Sequence, residues 1–413
     1  MRGTGPLLVV QPSRDYAERV LAAFPEAALL ATPQRAGELP GVHRIAARLG
    51  DPVAALRAVT HWSSCHGLRL GGIVSFVCEY LPLTGLLAEA LDLAFHDSPT
   101  VQRTRHKDLA AATWNRAGVP TPATRPVRTL EELRGFAAGV PPPWILKPTA
   151  GTGSEWVLRV DRREDLADAH ARICAGLRDG DPGPALTYLA QALATGREFG
   201  ADLFVEDGHA RVLRLTEKCL LPAAGLGGLV AAYFVPELDA ATHGQLQDVL
   251  ERGAAALGVR RGIVMADVVL TASGPQLLEM ALRPGGDCLP ALTRHVLGYD
   301  PVLTACRVAL GGRPEPPAGG PRPRVAALHL MADRSGTVRR LDCGRLVAHP
   351  AVVELIEVYH GPGERVRCWE GSYDDRILAA CLVRYEDPSE LAGLSALLTR
   401  YIDLELEEES TCP

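Results

Sequence analysis

The stretch MADVVLTASGPQLLEMAL, residues 265–282, has the pattern of two strands joined by a turn. Residues 271–275 are typical of a turn, so the flanking segments are predicted to pair as an antiparallel hairpin. If the turn is centred on Ser273, Asp267 lies directly opposite Glu279 and both carboxylates share one face. The positions that alternate with them are apolar and are predicted to face the core: Val268, Leu270, Leu278, Met280 and Leu282.

Two facing carboxylates repel each other unless a cation lies beside them. Mg²⁺ prefers carboxylate oxygens, so Asp267 and Glu279 are predicted to bind it; the alternative is an exposed pair separated by water. Arg283 follows directly, in RPGGD (283–287). Its guanidinium could hold a carboxylate or a phosphate, although a surface arginine beside a Pro-Gly turn explains the same pattern.

A second glycine-rich segment lies earlier in the chain. The strand-like residues 144–148 contain Lys147, and TAGTGS (149–154) connects them to a second strand-like segment at 156–160. Glycines let backbone N–H groups approach phosphate oxygens, and a lysine adds a positive charge. Taken alone, the segment is more typical of a plain hairpin that only turns the chain. It is not a Walker A motif, because no GK[ST] opens a helix here.

Seven segments occur in a characteristic order: RHKDL (105–109), GVPTP (118–122), ILKP (145–148), GTGS (151–154), residues 191–198, Asp267, and residues 279–286. In this order they resemble the ATP-grasp superfamily, most of all its amino-acid (carboxylate-amine) ligases. The resemblance covers residues 99–312 and, less specifically, the whole chain. It implies a central ATP-grasp of two α+β subdomains, with ATP and Mg²⁺ as cofactors.

The resemblance also implies roles for individual residues. The phosphate-binding lysines are Lys107 and Lys147, and the loop that closes over the phosphates contains Gly151, Thr152, Gly153 and Ser154. The adenine-reading hinge is Gln191, Ala192, Leu193 and Ala194, and Glu198 binds the ribose hydroxyls. Lys218, before the glycine-rich residues 223–228, lies near the γ-phosphate. Asp267 and Glu279 bind Mg²⁺, and Arg283 stabilises the acyl phosphate.

Two positions depart from the family pattern. His106 stands where many members have Asp before the first lysine. Ala281 stands where many have an Asn metal ligand, two residues after Glu279. Alanine cannot coordinate a cation, so a second Mg²⁺ would depend on Asp287 or water, or would be lost.

The fold class predicted for the chain is α/β and α+β multidomain. Alternating strands and helices indicate a parallel α/β layer over 1–98, followed by the two subdomains at 99–190 and 191–312. Helices are predicted at 104–117, 161–177 and 239–257. A Gly/Pro-rich linker at 313–324 leads to a hairpin-rich domain at 325–413, in which 326–331 and 337–341 are predicted to pair through a turn at 333–336.

The composition excludes several classes of protein. The 413 residues carry a net charge of -6 and ten dispersed cysteines, with no CxxC pair. Nucleic acid is therefore not expected as a partner, and neither a zinc site nor a disulfide framework is expected. No apolar run approaches the roughly 20 residues of a membrane helix. We expect a cytoplasmic protein that acts on small-molecule carboxylate and amine substrates, with a homodimer as a possible assembly.

The predicted function is an ATP-dependent ligase that forms an amide or peptide bond through an acyl phosphate, on amino-acid substrates. One alternative is acyl transfer to another acceptor, such as a carrier-protein thiol, or a biotin-dependent carboxylation. Another is a protein that binds nucleotide without turning it over, which the Ala281 departure would favour.

Overall fold

A computed structural model describes residues 5–151, 153, 155–180, 187–221, 229–315, 322–368 and 374–407. The described residues form four sheets, of four, four, eight and three strands. None of the helices among them is both long enough and apolar enough to span a bilayer.

The N-terminal layer is a parallel sheet, as predicted, and its strand order is β3-β2-β1-β4. Its elements are β1 (Leu7–Val10), α1 (Arg14–Ala23), β2 (Ala28–Ala31), α2 (Pro33–Glu38), β3 (Arg44–Ala46), α3 (Pro52–His66), β4 (Gly72–Ser75) and α4 (Leu81–Ala90). Strands β1, β2 and β4 are buried at every residue, because helices cover both faces of the sheet.

The helix predicted at 104–117 is two helices, α5 (Ser98–Arg105) and α6 (Lys107–Arg116). They are separated at His106, whose extended backbone (φ -107°, ψ 110°) interrupts the helix. The break places Lys107 at the first position of α6, where its backbone N–H donates to the Thr149 carbonyl at 2.8 Å. The N-terminus of α6 is thereby joined to the segment that precedes the glycine-rich loop.

The small sheet has the order β5-β8-β6-β7 and carries two helices on one side. Its elements are β5 (Thr124–Val127), α7 (Leu130–Gly139), β6 (Trp144–Pro148), β7 (Leu158–Val160), α8 (Leu166–Gly180) and β8 (Tyr188–Ala192). The predicted hairpin around the glycine-rich loop is present, since β6 and β7 pair antiparallel. Its second strand starts at Leu158, because Trp156 adopts a left-handed backbone (φ 54°) within the turn.

The large sheet has eight strands in the order β13-β12-β9-β10-β11-β14-β18-β16. Its first part comprises β9 (Arg197–Glu206), β10 (His209–Leu221), β11 (Leu229–Phe234), α9 (Ala240–Leu257), β12 (Arg261–Thr271) and β13 (Gly274–Ala281). Helix α9 packs beneath it, capped by Asp239 and ended by Gly258 as predicted.

The hairpin of β12 and β13 pairs Asp267 with Glu279, as predicted, but for a different reason. Thr271 pairs with Gly274 across a two-residue turn, so the turn is not centred on Ser273. A register shift between Asp267 and Val268 then restores the pairing of the two acids. Because of the shift, Leu277 is fully buried and Leu278 is not, which corrects the predicted core face.

The C-terminal part does not form the predicted hairpin. Strands β14 (Val325–Met331) and β15 (Gly336–Asp342) are present, but β14 is bonded on its two edges to β11 and β18 (Ile377–Arg384). Strand β15 therefore pairs elsewhere, with β17 (Arg365–Val366) and β19 (Asp403–Glu407). The remaining elements are α12 (Gly344–Val347), β16 (Val352–Val358) and α13 (Leu391–Thr399).

Two helices between these parts return to the first layer. Helices α10 (Leu289–Leu297) and α11 (Pro301–Ala309) follow β13, and α11 packs against the core of the N-terminal layer through residues such as Val302 and Cys306. The segment that joins β13 to α10, residues 282–288, consequently lies where the N-terminal layer, the large sheet and the C-terminal strands meet.

Candidate active site

Four neighbouring strands of the large sheet bring charged side chains onto one face. Glu198 on β9 lies opposite Val269, two residues from Asp267 on β12, so the two acids point the same way. The ammonium of Lys218 on β10 bridges them, with its Nζ 2.7 Å from Glu198 Oε1 and 2.9 Å from Asp267 Oδ2. Glu279 on β13 completes the row and forms an ion pair with Lys107 at 3.2 Å.

The charges in this row determine one another's ionisation. Burial disfavours the charged form of Glu279, but Lys107, Lys147 and Lys218 outweigh it and lower the pKa of Glu279 to about 2. Burial also opposes the charge on Lys218, yet Asp267 and Glu198 raise its pKa above the ordinary lysine value. Glu279 and Lys218 are therefore both ionised, whereas burial raises the pKa of Asp267 in spite of the nearby charge of Lys218.

Lys147 faces this row from β6 of the small sheet. Only 8% of the residue is exposed. Burial and the nearby charge of Lys107 lower the pKa of Lys147 to about 8, against the opposing pull of Glu279, Glu198 and Asp267. The two predicted phosphate lysines thus lie close together, as their shared role in the family resemblance implies.

The glycine-rich loop begins beside Lys107, whose Nζ donates to the Gly151 carbonyl at 3.1 Å. Gly153 has a left-handed backbone (φ 64°), and a Cβ there would lie 2.3 Å from a carboxylate oxygen of Asp374 in the C-terminal part. Glycine at 153 is required by that close approach. Thr152 and Ser154, and the glycine-rich residues 223–228, lie outside the described residues.

The predicted hinge runs along β8 and leaves it at Leu193. The Gln191 side chain is buried and donates to Thr124 Oγ1 at 2.8 Å. The backbone N–H groups of Ala192 and Leu193 donate to the carbonyls of Ala123 and Pro143. These three groups hold the hinge in place. Of the four predicted hinge residues, Ala194 is therefore the one whose backbone we expect to contact a ligand.

Arg283 lies between the acidic row and the N-terminal layer. Its Nε donates to Cys78 Sγ at 2.9 Å, and its Nη1 donates to the Pro284 carbonyl at 2.8 Å. Burial opposes the charge of Arg283, but the contact with Cys78 raises its pKa above the ordinary arginine value, and Tyr16 of α1 lies nearby. Sequence reasoning missed Cys78 and Tyr16, because they belong to a different layer and follow no motif.

A buried ion pair supports this arginine-containing loop. Arg214 of β10 and Asp202 of β9 are 0% and 1% exposed. Asp202 Oδ1 also accepts the backbone N–H of Gly285 at 2.8 Å. The sequence analysis did not identify this pair. The available signal was one charged residue at an inward-facing position in each of two neighbouring apolar strands.

Asp287, considered as a substitute metal ligand, is directed elsewhere. Its carboxylate contacts His329 Nε2 and the Tyr359 hydroxyl, each at 2.5 Å, and not the row that contains Glu279. Position 281 lies on the same face as Glu279, opposite Met265, and offers only a methyl group.

Residues 140–291 of this chain match a family model described as the ATP-grasp domain. That segment includes all four charged residues of the row, together with Lys147 and Arg283, but not Lys107. The chain contains an ATP-grasp domain. The order of motifs found in the sequence and the geometry found in the structure agree with this assignment.

Sequence similarity to other proteins extends beyond residues 140–291. Uncharacterized protein y4rH of Sinorhizobium fredii is 25% identical over 309 residues, covering 75% of this chain and 63% of that protein. Carnosine synthase 1 of Homo sapiens is 28% identical over 290 residues, covering 64% of this chain and 33% of the synthase. The chain thus spans less than two thirds of the length of each of these relatives.

Solved structures share the fold over nearly the whole chain. An L-amino acid ligase from Bacillus licheniformis superposes with a TM-score of 0.77 at 19% identity, covering 99% of this chain and all of the ligase. Phosphoribosylglycinamide synthetase from Anaerococcus prevotii gives a TM-score of 0.66 at 15% identity, covering 98% of this chain and all of that one. The multidomain architecture predicted from the sequence is confirmed.

Proposed function

We propose that this protein is an ATP-dependent carboxylate-amine ligase that joins amino-acid substrates through an acyl phosphate. The observation that carries the proposal is the convergence of Lys107, Lys147 and Lys218 with Asp267 and Glu279 between the two sheets of the ATP-grasp domain. Alternating fixed charges of this kind suit a polyphosphate and its cation. The names of the amino acid ligase and of carnosine synthase favour amino-acid substrates.

ATP would lie between the small and the large sheet. Lys107 and Lys147 would meet its phosphates, and the loop containing Gly151 and Gly153 would close over them. The hinge backbone at Ala194 would contact the adenine edge, and Glu198 would bond the ribose hydroxyls. On ATP binding, Glu198 would release Lys218, which then becomes available to the transferred phosphate.

The residues present fit a magnesium ion. Asp267 and Glu279 are paired across β12 and β13, are ionisable oxygen donors, and lie beside the proposed phosphate site. Bound there, Mg²⁺ would supply positive charge that offsets the charge of the phosphate oxygens. The methyl group of Ala281 contributes nothing to it, so the protein supplies two carboxylates to this face where many family members supply a further amide.

The proposed reaction has two displacements. A carboxylate oxygen of one substrate attacks the γ-phosphorus, ADP departs, and an acyl phosphate forms. The amine of the second substrate then attacks the acyl carbon, phosphate departs, and the nitrogen loses a proton. Arg283 would stabilise the acyl phosphate, and closure of the glycine-rich loop would exclude the water that otherwise hydrolyses it.

The experiment is a screen of amino-acid pairs with ATP and Mg²⁺, read by phosphate release and by mass analysis of the product. The proposal requires phosphate release that depends on both substrates, an amide product, and the loss of both in Lys147→Ala. ATP binding without release in the presence of every pair would favour the nucleotide-binding alternative, for which Ala281 is the specific observation.

A further inference from the structure

Three chemically different side chains converge outside the row of lysines and acids. The ligand atoms of Asp287, Cys288 and His329 all lie within 4.8 Å of one another. His329 Nε2 is 2.5 Å from Asp287 Oδ2 and 3.6 Å from Cys288 Sγ. The thiol is also 3.6 Å from Asp287 Oδ2. One carboxylate, one thiol and one imidazole therefore surround a common point.

The geometry differs from that of a cysteine nucleophile. In a catalytic Cys-His pair, the base uses one ring nitrogen for the thiol and is oriented through the other. Here Asp287 and Cys288 both contact Nε2 of His329, whereas Nδ1 lies 3.2 Å from the Val230 carbonyl oxygen. An Nδ1–H donated to a backbone carbonyl leaves Nε2 as the nitrogen that faces the cluster. Once Nε2 gives up the proton that it shares with Asp287, this is the arrangement of a metal-bound histidine.

The distances suit a tetrahedral ion. With a zinc–sulfur bond of about 2.3 Å and a zinc–nitrogen bond of about 2.0 Å, tetrahedral ligands lie roughly 3.5 Å apart. The thiol is 3.6 Å from both of its neighbours, so these separations already match. Only the contact of Asp287 with His329 must widen, as an ion replaces the proton that the two groups share.

The ligands are held by elements on both sides of the cluster. His329 is buried on β14, and its carbonyl accepts the Ser395 hydroxyl at 2.7 Å. Asp287 has a left-handed backbone (φ 56°), and the Tyr359 hydroxyl donates to its second oxygen. The cluster thus connects the segment that carries Arg283 to the C-terminal strands, and the Asp287 side chain is 34% exposed, which provides an entry path.

We propose that Asp287, Cys288 and His329 form a binding site for Zn²⁺, separate from the carboxylates of the ATP-grasp row. A thiolate and an imidazole favour Zn²⁺ over Mg²⁺, which prefers oxygen ligands. Three protein ligands leave a fourth position, for water or for the carboxylate of Asp374. Asp374 lies close enough to Asp287 for their negative charges to repel each other, and a cation between them would relieve that repulsion. The bound ion would fix the loop after Arg283 to β14.

The test is a Co²⁺ titration of the metal-free full-length protein in excess Mg²⁺, which occupies the carboxylate row. A cobalt-thiolate charge-transfer band should reach its maximum at one equivalent and disappear when Zn²⁺ is added. Cys288→Ser, nearly the same size, should abolish the band. Cys65→Ser is the matched control, because Cys65 is an exposed thiol only 3.5 Å from the imidazole of His61; it should leave the band unchanged.

Asp287→Asn provides a second arm that leaves both buried ligands in place, with folding checked by circular dichroism. It should weaken Zn²⁺ binding by at least about tenfold. The proposal is overturned if no thiolate band forms at one equivalent, if the band persists in Cys288→Ser, or if Asp287→Asn binds Zn²⁺ as tightly as the parent. None of these outcomes depends on ligase activity.

Discussion

Asp202 and Arg214 form a bidentate ion pair inside the large sheet, with two N–O distances of 2.9 Å. The same carboxylate accepts the backbone N–H of Gly285, so it also holds the turn that follows Arg283. Arg214 further donates to the Gly200 carbonyl and the Thr216 hydroxyl. A charged pair that is almost inaccessible to water therefore positions the loop of the candidate active site.

Asp202→Asn should destabilise the fold strongly, because it leaves the guanidinium of Arg214 buried without its counter-charge. We expect the free energy of unfolding to fall by about 3–5 kcal/mol, measured by urea denaturation. Glu18→Gln is the control, since its pair with Arg14 is exposed to water and should contribute little to stability. Equal effects of the two changes would contradict the structural role of Asp202.

Gly285→Ala should also be destabilising. A Cβ at 285 would lie 2.7 Å from Arg214 Nη2 and 2.8 Å from Leu289 Cδ1, so the loop must shift, at a cost of about 1–3 kcal/mol. Gly286→Ala is the matched control, because the nearest atom to its Cβ is 3.6 Å away. Thermal unfolding of both variants checks the difference, and a Gly286→Ala protein that is the less stable of the two would refute it.

Lys147 should make nucleotide binding dependent on pH. Its ammonium loses a proton near pH 8, and the neutral amine attracts phosphate less strongly. The affinity for a non-hydrolysable ATP analogue should therefore fall as the pH rises from about 7 to about 9.5, measured by calorimetry. Lys147→Arg should remove this decline, since arginine stays charged, and Lys147→Ala should weaken binding by about 10–100-fold at pH 7.

The same shift affects stability with the opposite sign. Because the folded state lowers the pKa of Lys147, the unfolded chain binds more protons between about pH 8 and the ordinary lysine value of about 10.4. The contribution of Lys147 to folding should thus rise with pH across this window. Subtracting the pH profile of Lys147→Met from that of the parent isolates it, and a flat difference would count against the buried amine.

Glu279→Gln should raise the Mg²⁺ concentration needed for activity and reduce the rate by about a hundredfold or more, because one of two carboxylate ligands is lost. Glu217→Gln is the control on the same sheet. Glu217 precedes Lys218 on β10, so it points to the opposite face, where it pairs with Arg197 at 2.7 Å. Phosphate release as a function of Mg²⁺ distinguishes the two; unaltered metal dependence in Glu279→Gln would remove it from the proposed metal site.

Ala281→Asn should restore an oxygen donor on the face that carries Glu279. If a second cation is weakly held there, half-maximal activity should be reached at a several-fold lower Mg²⁺ concentration, measured by the same assay. Ala281→Val, which adds bulk without a donor, serves as the control. An identical response of both variants to Mg²⁺ would show that position 281 does not limit metal binding.

The opposed pair Asp267 and Glu279 illustrates how far sequence reasoning reached and where it failed. Alternation along each strand indicated correctly that the two acids share a face. The predicted turn was centred on Ser273, whereas the turn of the structure is centred between Ala272 and Ser273, which by itself would shift the strand pairing by one residue. A register shift, which leaves no local sequence signal, compensated for this difference. The same lack of long-range information misassigned the partner of β14, whose two edges are occupied by strands far away in the chain.

The sequence by itself determined the alternating elements, the glycine-rich loop and the order of motifs that led to the ATP-grasp assignment, because local periodicity and backbone propensity depend on neighbouring residues. Only the tertiary structure decided which charges meet. Lys218 bridges two acids, Asp202 holds Gly285, and Cys288 meets His329 across 41 positions. Such contacts depend on strand order and on packing between layers, and neither is encoded in the spacing of residues along one segment.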